Sequence, residues 1–314
     1  MSIDYIDPLE RSWARAKRML FRPFNLDFWL ALGFAAFLAN LGEGGGGFQW
    51  SRPLQGQTSG DVAQDIHDFL HEPYTLWILG IVLVVILVLG IVLGWVGARG
   101  KFIFLDDVLH ERAAIVEPWK RFRRIGNSLF LFQLLVGSGF LAVFLVLFGG
   151  LVRTVLLSIW RDGTFPDFEP WSFVIPALIA VPLWLVALIL FTLSKHFVVP
   201  IMWKHDLGAI AAWKRFGPLL TDRPGAFVVY LLFLLALGIA LLAAFFVAGV
   251  CTCCVGFLLM AIPYIGSVVL LPIFVPWRLL GPEFLAQFGA DWDVRPVAAV
   301  ADGSPDPPRG DSGA

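Results

Sequence analysis

Five stretches of this chain run for more than twenty residues without an Asp, Glu, Lys, Arg or His: Thr75–Ala98, Ser128–Val152, Trp171–Leu193, Ala226–Val250 and Val255–Trp277. A helix rises about 1.5 Å per residue, so about 20 apolar residues cross the roughly 30 Å hydrocarbon core of a bilayer. Inside that core every backbone polar group must be satisfied within the protein, which helices achieve segment by segment. The runs therefore predict transmembrane helices. A sixth run, Phe28–Leu41, is shorter and reaches spanning length only by starting at Phe24 and carrying Asp27 toward the headgroups. Composition agrees: 58% of residues are hydrophobic and 15% charged, with a mean hydropathy of +0.79, outside the range of soluble domains. The opening residues, MSIDYIDPLE, lack the pattern of a cleavable signal.

Charge sets the expected orientation. All Lys and Arg except Arg52, Arg153 and Arg161 fall in the N-terminal arm, in the connections after the second and fourth apolar runs, or after the last one. Positive charge collects on the cytoplasmic side, so six spans with both termini cytoplasmic is the reading that fits. The opposite loop, 42–74, is acidic, and within it Val62, Ile66, Phe69 and Leu70 predict a short amphipathic helix. His67 and His71 lie four apart on it without the rest of a metalloprotease motif.

A tetrapeptide, WKRF, occurs at Trp119–Phe122 and again at Trp213–Phe216, ending a longer match between 102–122 and 197–216. Phe102 aligns with Phe197, His110 with His205 and Glu111 with Asp206. Both copies follow a descending span and precede an ascending one, so the repeat is parallel. A third unit, split between the termini, has Trp13 in the place of Trp119 and Trp213, and Phe274–Trp277 in the place of Phe197–Pro200. Trp prefers the headgroup level and neighbouring Lys and Arg reach for lipid phosphates. Trp13, Arg15, Lys17, Arg18, Trp119, Lys120, Arg121, Trp213, Lys214 and Arg215 are thus candidate lipid-interface anchors.

Chemistry-bearing residues are few. His110, Glu111, His205 and Asp206 are metal candidates if the two copies face each other, although adjacent helical positions point about 100° apart. Otherwise they solvate the polar face of a juxtamembrane helix. Cys251, Cys253 and Cys254 form an odd cluster without a second ligand pair, and Gly44–Gly47 lacks the Lys-Ser/Thr of a phosphate loop. The five long runs carry none of the buried ionisable groups that ion-coupled carriers or intramembrane proteases use. Gly90 and Gly94, and Ala236, Ala240 and Ala244, have the spacing that lets membrane helices approach closely; Pro176, Pro182, Pro263 and Pro272 predict kinks.

The hydropathy pattern and the F…H[DE]…WKRF connection, over about residues 10–280, resemble a group of uncharacterised bacterial and archaeal six-span membrane proteins. They are also similar to the membrane domain that accompanies some glycerophosphodiester phosphodiesterases. The resemblance implies a lipid-associated role in a prokaryotic inner membrane and carries over no catalytic residue, since no phosphodiesterase barrel is present.

The expected fold class is all-α: a polytopic membrane helical bundle of about six transmembrane helices, with parallel internal repeats and interfacial amphipathic helices. Residues 1–23 form a cytoplasmic amphipathic arm, 24–290 the six-helix domain with the loop 42–74, and 291–314 a disordered tail. The expected function is non-enzymatic, a lipid-interacting or partner-organising bundle; the alternative is an uncoupled facilitator or exporter of an apolar or amphipathic substrate. Expected partners are membrane lipids, especially anionic headgroups on the cytoplasmic side, and another membrane protein. No cofactor and no nucleic acid are expected.

Overall fold

The computed structural model describes residues 3–41, 59–167, 169–251 and 262–295. Gly44–Gly47, Cys253, Cys254 and the tail beyond Arg295 lie outside them, as does the start of the last apolar run. The protein is all-α, without a strand among the described residues. In chain order the helices are α1 (Asp7–Phe21), α2 (Leu26–Asn40), α3 (Ser59–His71), α4 (Thr75–Leu109), α5 (Val116–Arg121), α6 (Arg123–Asp162) and α7 (Trp171–Leu193). A π-helical turn (Ser194–Val198) then leads into α8 (Val199–His205), α9 (Ala209–Asp222), α10 (Pro224–Cys251), α11 (Pro263–Val269) and α12 (Leu271–Leu285).

Among the described residues, four helical stretches are long and apolar enough to cross a membrane: α4, α6, α7 continued through α8, and α10. Protein covers almost none of their most apolar segments, the pattern of a membrane-embedded bundle. α2 has 15 residues. The last run is broken at Leu270, where α12 restarts with Pro272 in its first turn.

At 35 and 40 residues, α4 and α6 are roughly 50–60 Å long, well beyond the thickness of a hydrocarbon core. The excess is where the protein packs. The end of α4 (Ala98–Leu109), the π-turn with α8, and the second half of α12 lie side by side, enclosed by α1, α2, α9 and the first turns of α10. Phe102, Ile103, Leu105, Phe197, Val198, Val199, Leu279 and Phe284 are fully buried there. Residues 102–109 therefore do not solvate a juxtamembrane surface; they are the core. Two glycines permit the packing. A Cβ at Gly100 would lie 2.5 Å from the backbone of Leu38, and one at Gly281 would lie 2.0 Å from the carbonyl oxygen of His196. Away from this end the helices diverge. Gly90 has nothing within 4 Å and Gly94 only Phe130, so this pair makes no close helix contact; Ala236, Ala240 and Ala244 are likewise exposed.

The repeat is visible in three dimensions. Glu111 and Asp206, aligned in the sequence, both adopt left-handed backbone conformation, with φ of 52° and 48°. Each ends its helix, the role usually given to Gly or Asn. The leading Phe of each copy stacks near the Phe of its WKRF: Phe102 and Phe122 are 6.1 Å apart, Phe197 and Phe216 5.4 Å. α12 packs on α1 as α8 packs on α9, which brings the split third unit together.

Candidate functional site

The WKRF copies repeat their environment residue by residue. Trp119 and Trp213 are half-buried, Lys120, Arg121, Lys214 and Arg215 exposed, and Phe122 and Phe216 buried. In the third unit Trp13, Lys17 and Arg18 are exposed, and Ala16 takes the inward place three residues after the Trp. Arg15 departs from the expectation of an interface anchor. It is 7% exposed, and its guanidinium donates to the Leu109 carbonyl (2.7 Å) and to Glu111 (3.1 Å). A cation so placed complements the carbonyl end of α4 and has no reach to a headgroup.

The metal candidates are not brought together. His110 Nδ1 lies 3.0 Å from the carbonyl oxygen of Asp106 and 3.3 Å from its carboxylate. Asp106, fully buried, also accepts from Arg112 (2.7 Å) and from the Trp203 indole (3.0 Å), so it ties the first repeat copy to the second. His205 instead sits near Lys204, Arg215 and Asp291, and Asp206 pairs with Arg124. Glu111 is committed to Arg15. Among the described residues no group of three or more His, Cys, Asp or Glu has the geometry to hold a metal. These pairs stop helices and knit the copies together. His67 and His71 also serve packing, with His71 stacked 4.4 Å from Trp160.

The concentrated polar chemistry lies one helical turn deeper. Between α4, α6 and α7 the diverging helices leave a half-open cavity of about 840 Å3. Its walls are Ile86, Leu87, Gly90, Ile91, Phe130, Leu134, Leu188 and Phe191, with Gln133 and Thr192 the uncharged polar members. Its floor is Lys101, Lys195, His196 and Trp277. Lys101 and His196 are 5% exposed, and Lys195 half-buried.

A backbone irregularity fixes this floor. Pro200 has no N–H and its ring crowds the carbonyl four residues earlier, so the helix widens into the π-turn at Ser194–Val198. Carbonyls freed by the irregularity need partners. Arg278 Nη1 donates to the Lys195 carbonyl (3.2 Å), and its Nη2 to the Lys101 carbonyl (2.7 Å). The His196 carbonyl faces Gly281, and the imidazole Nδ1 is 3.0 Å from the Tyr230 hydroxyl. Arg278 thus pins the two cavity-facing lysine backbones from the third unit. Nearby, Arg99 lies 4.0 Å from the Trp95 ring centre and 5.2 Å from that of Trp119, and donates to Asn127 (2.9 Å). This ties a WKRF Trp to α4 and α6.

Counting Lys101 and Lys195 simply as charges on a water-facing side missed this floor. The signal was present in the repeat: aligning Phe102 with Phe197 places Lys101 opposite His196, so a polar residue precedes the core Phe in both copies.

A family model described as "Family of unknown function (DUF7544)" matches residues 3–290. The chain belongs to this family. The match covers all three repeat units and ends just before Asp291, the expected start of the tail. In DUF7544 terms, the WKRF connections, the Asp106 junction and the cavity floor all lie within the family's extent. No curated protein and no solved structure matches the chain, so the similarity to the phosphodiesterase-associated membrane domain gains no support.

Past that limit the chain stays packed for five residues more than the expected domain boundary allowed. Val294 is 3% exposed, and Arg295 pairs with Asp293 (2.7 Å) and with buried Glu283 (3.4 Å).

Proposed function

We propose that this protein is a six-span, non-enzymatic bundle of a prokaryotic cytoplasmic membrane, with both termini in the cytoplasm, that engages anionic lipid at its cytoplasmic face. The observation that carries this reading is the repeated exposure pattern of WKRF. Two copies, set by the same Phe–Phe packing, present a Trp edge and two outward cations beside four uncovered apolar helices. A surface-held Lys or Arg gains about 1 kcal/mol at an anionic leaflet, so the four exposed charges of Lys120, Arg121, Lys214 and Arg215 supply several kcal/mol together. The uncovered faces of α7 and α10 offer room for a membrane-protein partner. Replacing those four residues by Gln should cut co-purifying phosphatidylglycerol relative to phosphatidylethanolamine by several-fold. An unchanged ratio counts against headgroup binding by these groups. The half-open cavity favours a second reading, uncoupled passage of an amphipathic substrate, which flux measurements in liposomes would test.

A further inference from the structure

We infer that the groove between α1, α10 and α12 holds one acyl chain of an amine-bearing phospholipid, with the headgroup ammonium against Glu10. This rests on the membrane placement proposed above and lies on the third repeat unit, apart from the two WKRF surfaces. The repeat itself points to a gap. Trp119 has the Trp95 ring 6.0 Å away and the Arg99 guanidinium 5.2 Å from its ring centre, and Trp213 has the Phe132 ring at 6.2 Å. Trp13, their counterpart, is 53% exposed and meets no ring or cation among the described residues. Beside it opens a groove of about 360 Å3, walled by Leu237 and Leu241 of α10 and by Ile273, Pro276 and Leu280 of α12. That volume is at the lower end of the roughly 300–1,000 Å3 range of small-molecule sites, so it takes a single chain and leaves the headgroup outside. A hydrocarbon chain there fills the place that an aromatic or cationic neighbour fills beside the other two Trp residues.

The two ends of the groove differ. Leu241 is eleven residues past the buried Tyr230, about 16 Å along α10, where that helix is uncovered. The other end meets α1, where a Trp marks the headgroup level. Glu10 is the single charged member of the lining; it is exposed, and its carboxylate has no partner among the described residues. Lys17 is also exposed and without a partner there. Successive helical positions turn by about 100°, so Glu10, Trp13 and Lys17 fall within about 60° of one another on α1. A carboxylate and an ammonium on either side of a Trp complement a zwitterionic headgroup, its phosphate toward Lys17 and its ammonium toward Glu10. A headgroup that carries only negative charge meets Glu10 as a like charge.

Trp13 reports occupancy. The full chain, purified in a neutral maltoside detergent, is titrated with phosphatidylethanolamine carrying dibrominated stearoyl chains, and tryptophan quenching is compared with that of Trp13→Phe. The difference isolates Trp13 and should saturate. Phosphatidylglycerol with the same chains should need about threefold to fivefold more lipid to reach its midpoint, the scale of an exposed ion pair. Glu10→Gln should bring the two midpoints together. Gln at Lys120, Arg121, Lys214 and Arg215 should leave the Trp13 signal unchanged, so the groove and the WKRF surfaces fail separately. Equal midpoints for the two lipids on the unmodified protein overturn the proposal, as does a preference that persists in Glu10→Gln. Absence of saturable Trp13 quenching overturns it too, and a dimer by light scattering in that case gives the groove to a second copy of the chain.

Discussion

Single side chains, more than whole helices, decide how the three repeat units meet. Arg278 is 6% exposed and supplies donors to two carbonyls on two different units. Arg278→Met keeps much of the volume but removes both charge-assisted hydrogen bonds, each worth about 1.5–3 kcal/mol. The expected outcome is a thermal unfolding midpoint several degrees lower in detergent, with Arg278→Lys intermediate because one ammonium cannot span both carbonyls. An unchanged midpoint would show that the carbonyls find other partners. Glu283 makes a prediction in pH. Burial pushes its carboxyl above the ordinary glutamate value, outweighing the opposing pull of Arg295, Arg15 and Arg11. Its folded-state pKa is raised, so its contribution is fully present below the unfolded glutamate pKa of about 4.3 and is lost as pH rises through the folded value. The stability of the unmodified protein relative to Glu283→Gln should therefore fall as pH rises above the ordinary glutamate range, whereas a constant difference would argue that the Arg295 pair compensates burial.

At the scale of elements, the glycines separate packing from open space. Gly100 on α4 faces the α2 backbone, which cannot move aside as a side chain can. Gly100→Ala should cost at least the usual 1–3 kcal/mol of overpacking, against a small gain in helix propensity. Gly90→Ala, on the same helix with nothing within 4 Å, should be neutral or slightly stabilising. Equal effects in a denaturation series would refute the assigned α2–α4 contact. The sequence announced the wrong pair here. Gly90 and Gly94 have the spacing of a helix contact, but that spacing says only that a close approach is possible. Gly100, which makes one, is flanked by Arg99 and Lys101 and reads as loop. The π-turn was equally hidden, because Pro200 signals a disturbed helix but not which side chain will answer the freed carbonyls.

At the scale of the whole molecule, the proposed orientation is tested by labelling. With Cys251, Cys253 and Cys254 replaced, single cysteines at Lys120 and Lys214 should react with a membrane-impermeant maleimide only when the cytoplasmic face is open. One at Asp162, at the far end of α6, should show the opposite accessibility. Lys120 and Lys214 reacting from different sides would dismantle the parallel repeat as a membrane topology. The same arrangement explains where stability resides. Lipid solvates the middle of a long apolar helix as well as another helix does, so little is gained by packing there. Water-facing ends are different, and the aromatic core around Phe197, Phe216, Phe227, Tyr230 and Phe284 forms at the end where the charges cluster.

Helix type, the parallel repeat and the basic end are properties of pattern: uncharged length, the spacing of WKRF and the side on which Lys and Arg accumulate can be read along one dimension. The same WKRF spacing, by itself, left open whether its Phe faced lipid or protein; only the contact with the leading Phe of each copy answered that. Likewise His110-Glu111 and His205-Asp206 look like ligands in a list, and become helix stops once their backbone angles are known. Lys101, Lys195 and His196 line one cavity because Arg278, about eighty residues or more away in the chain, draws their segments together. Local energetics write the helices into the sequence, while the meeting of distant polar groups depends on a packing that no single segment encodes.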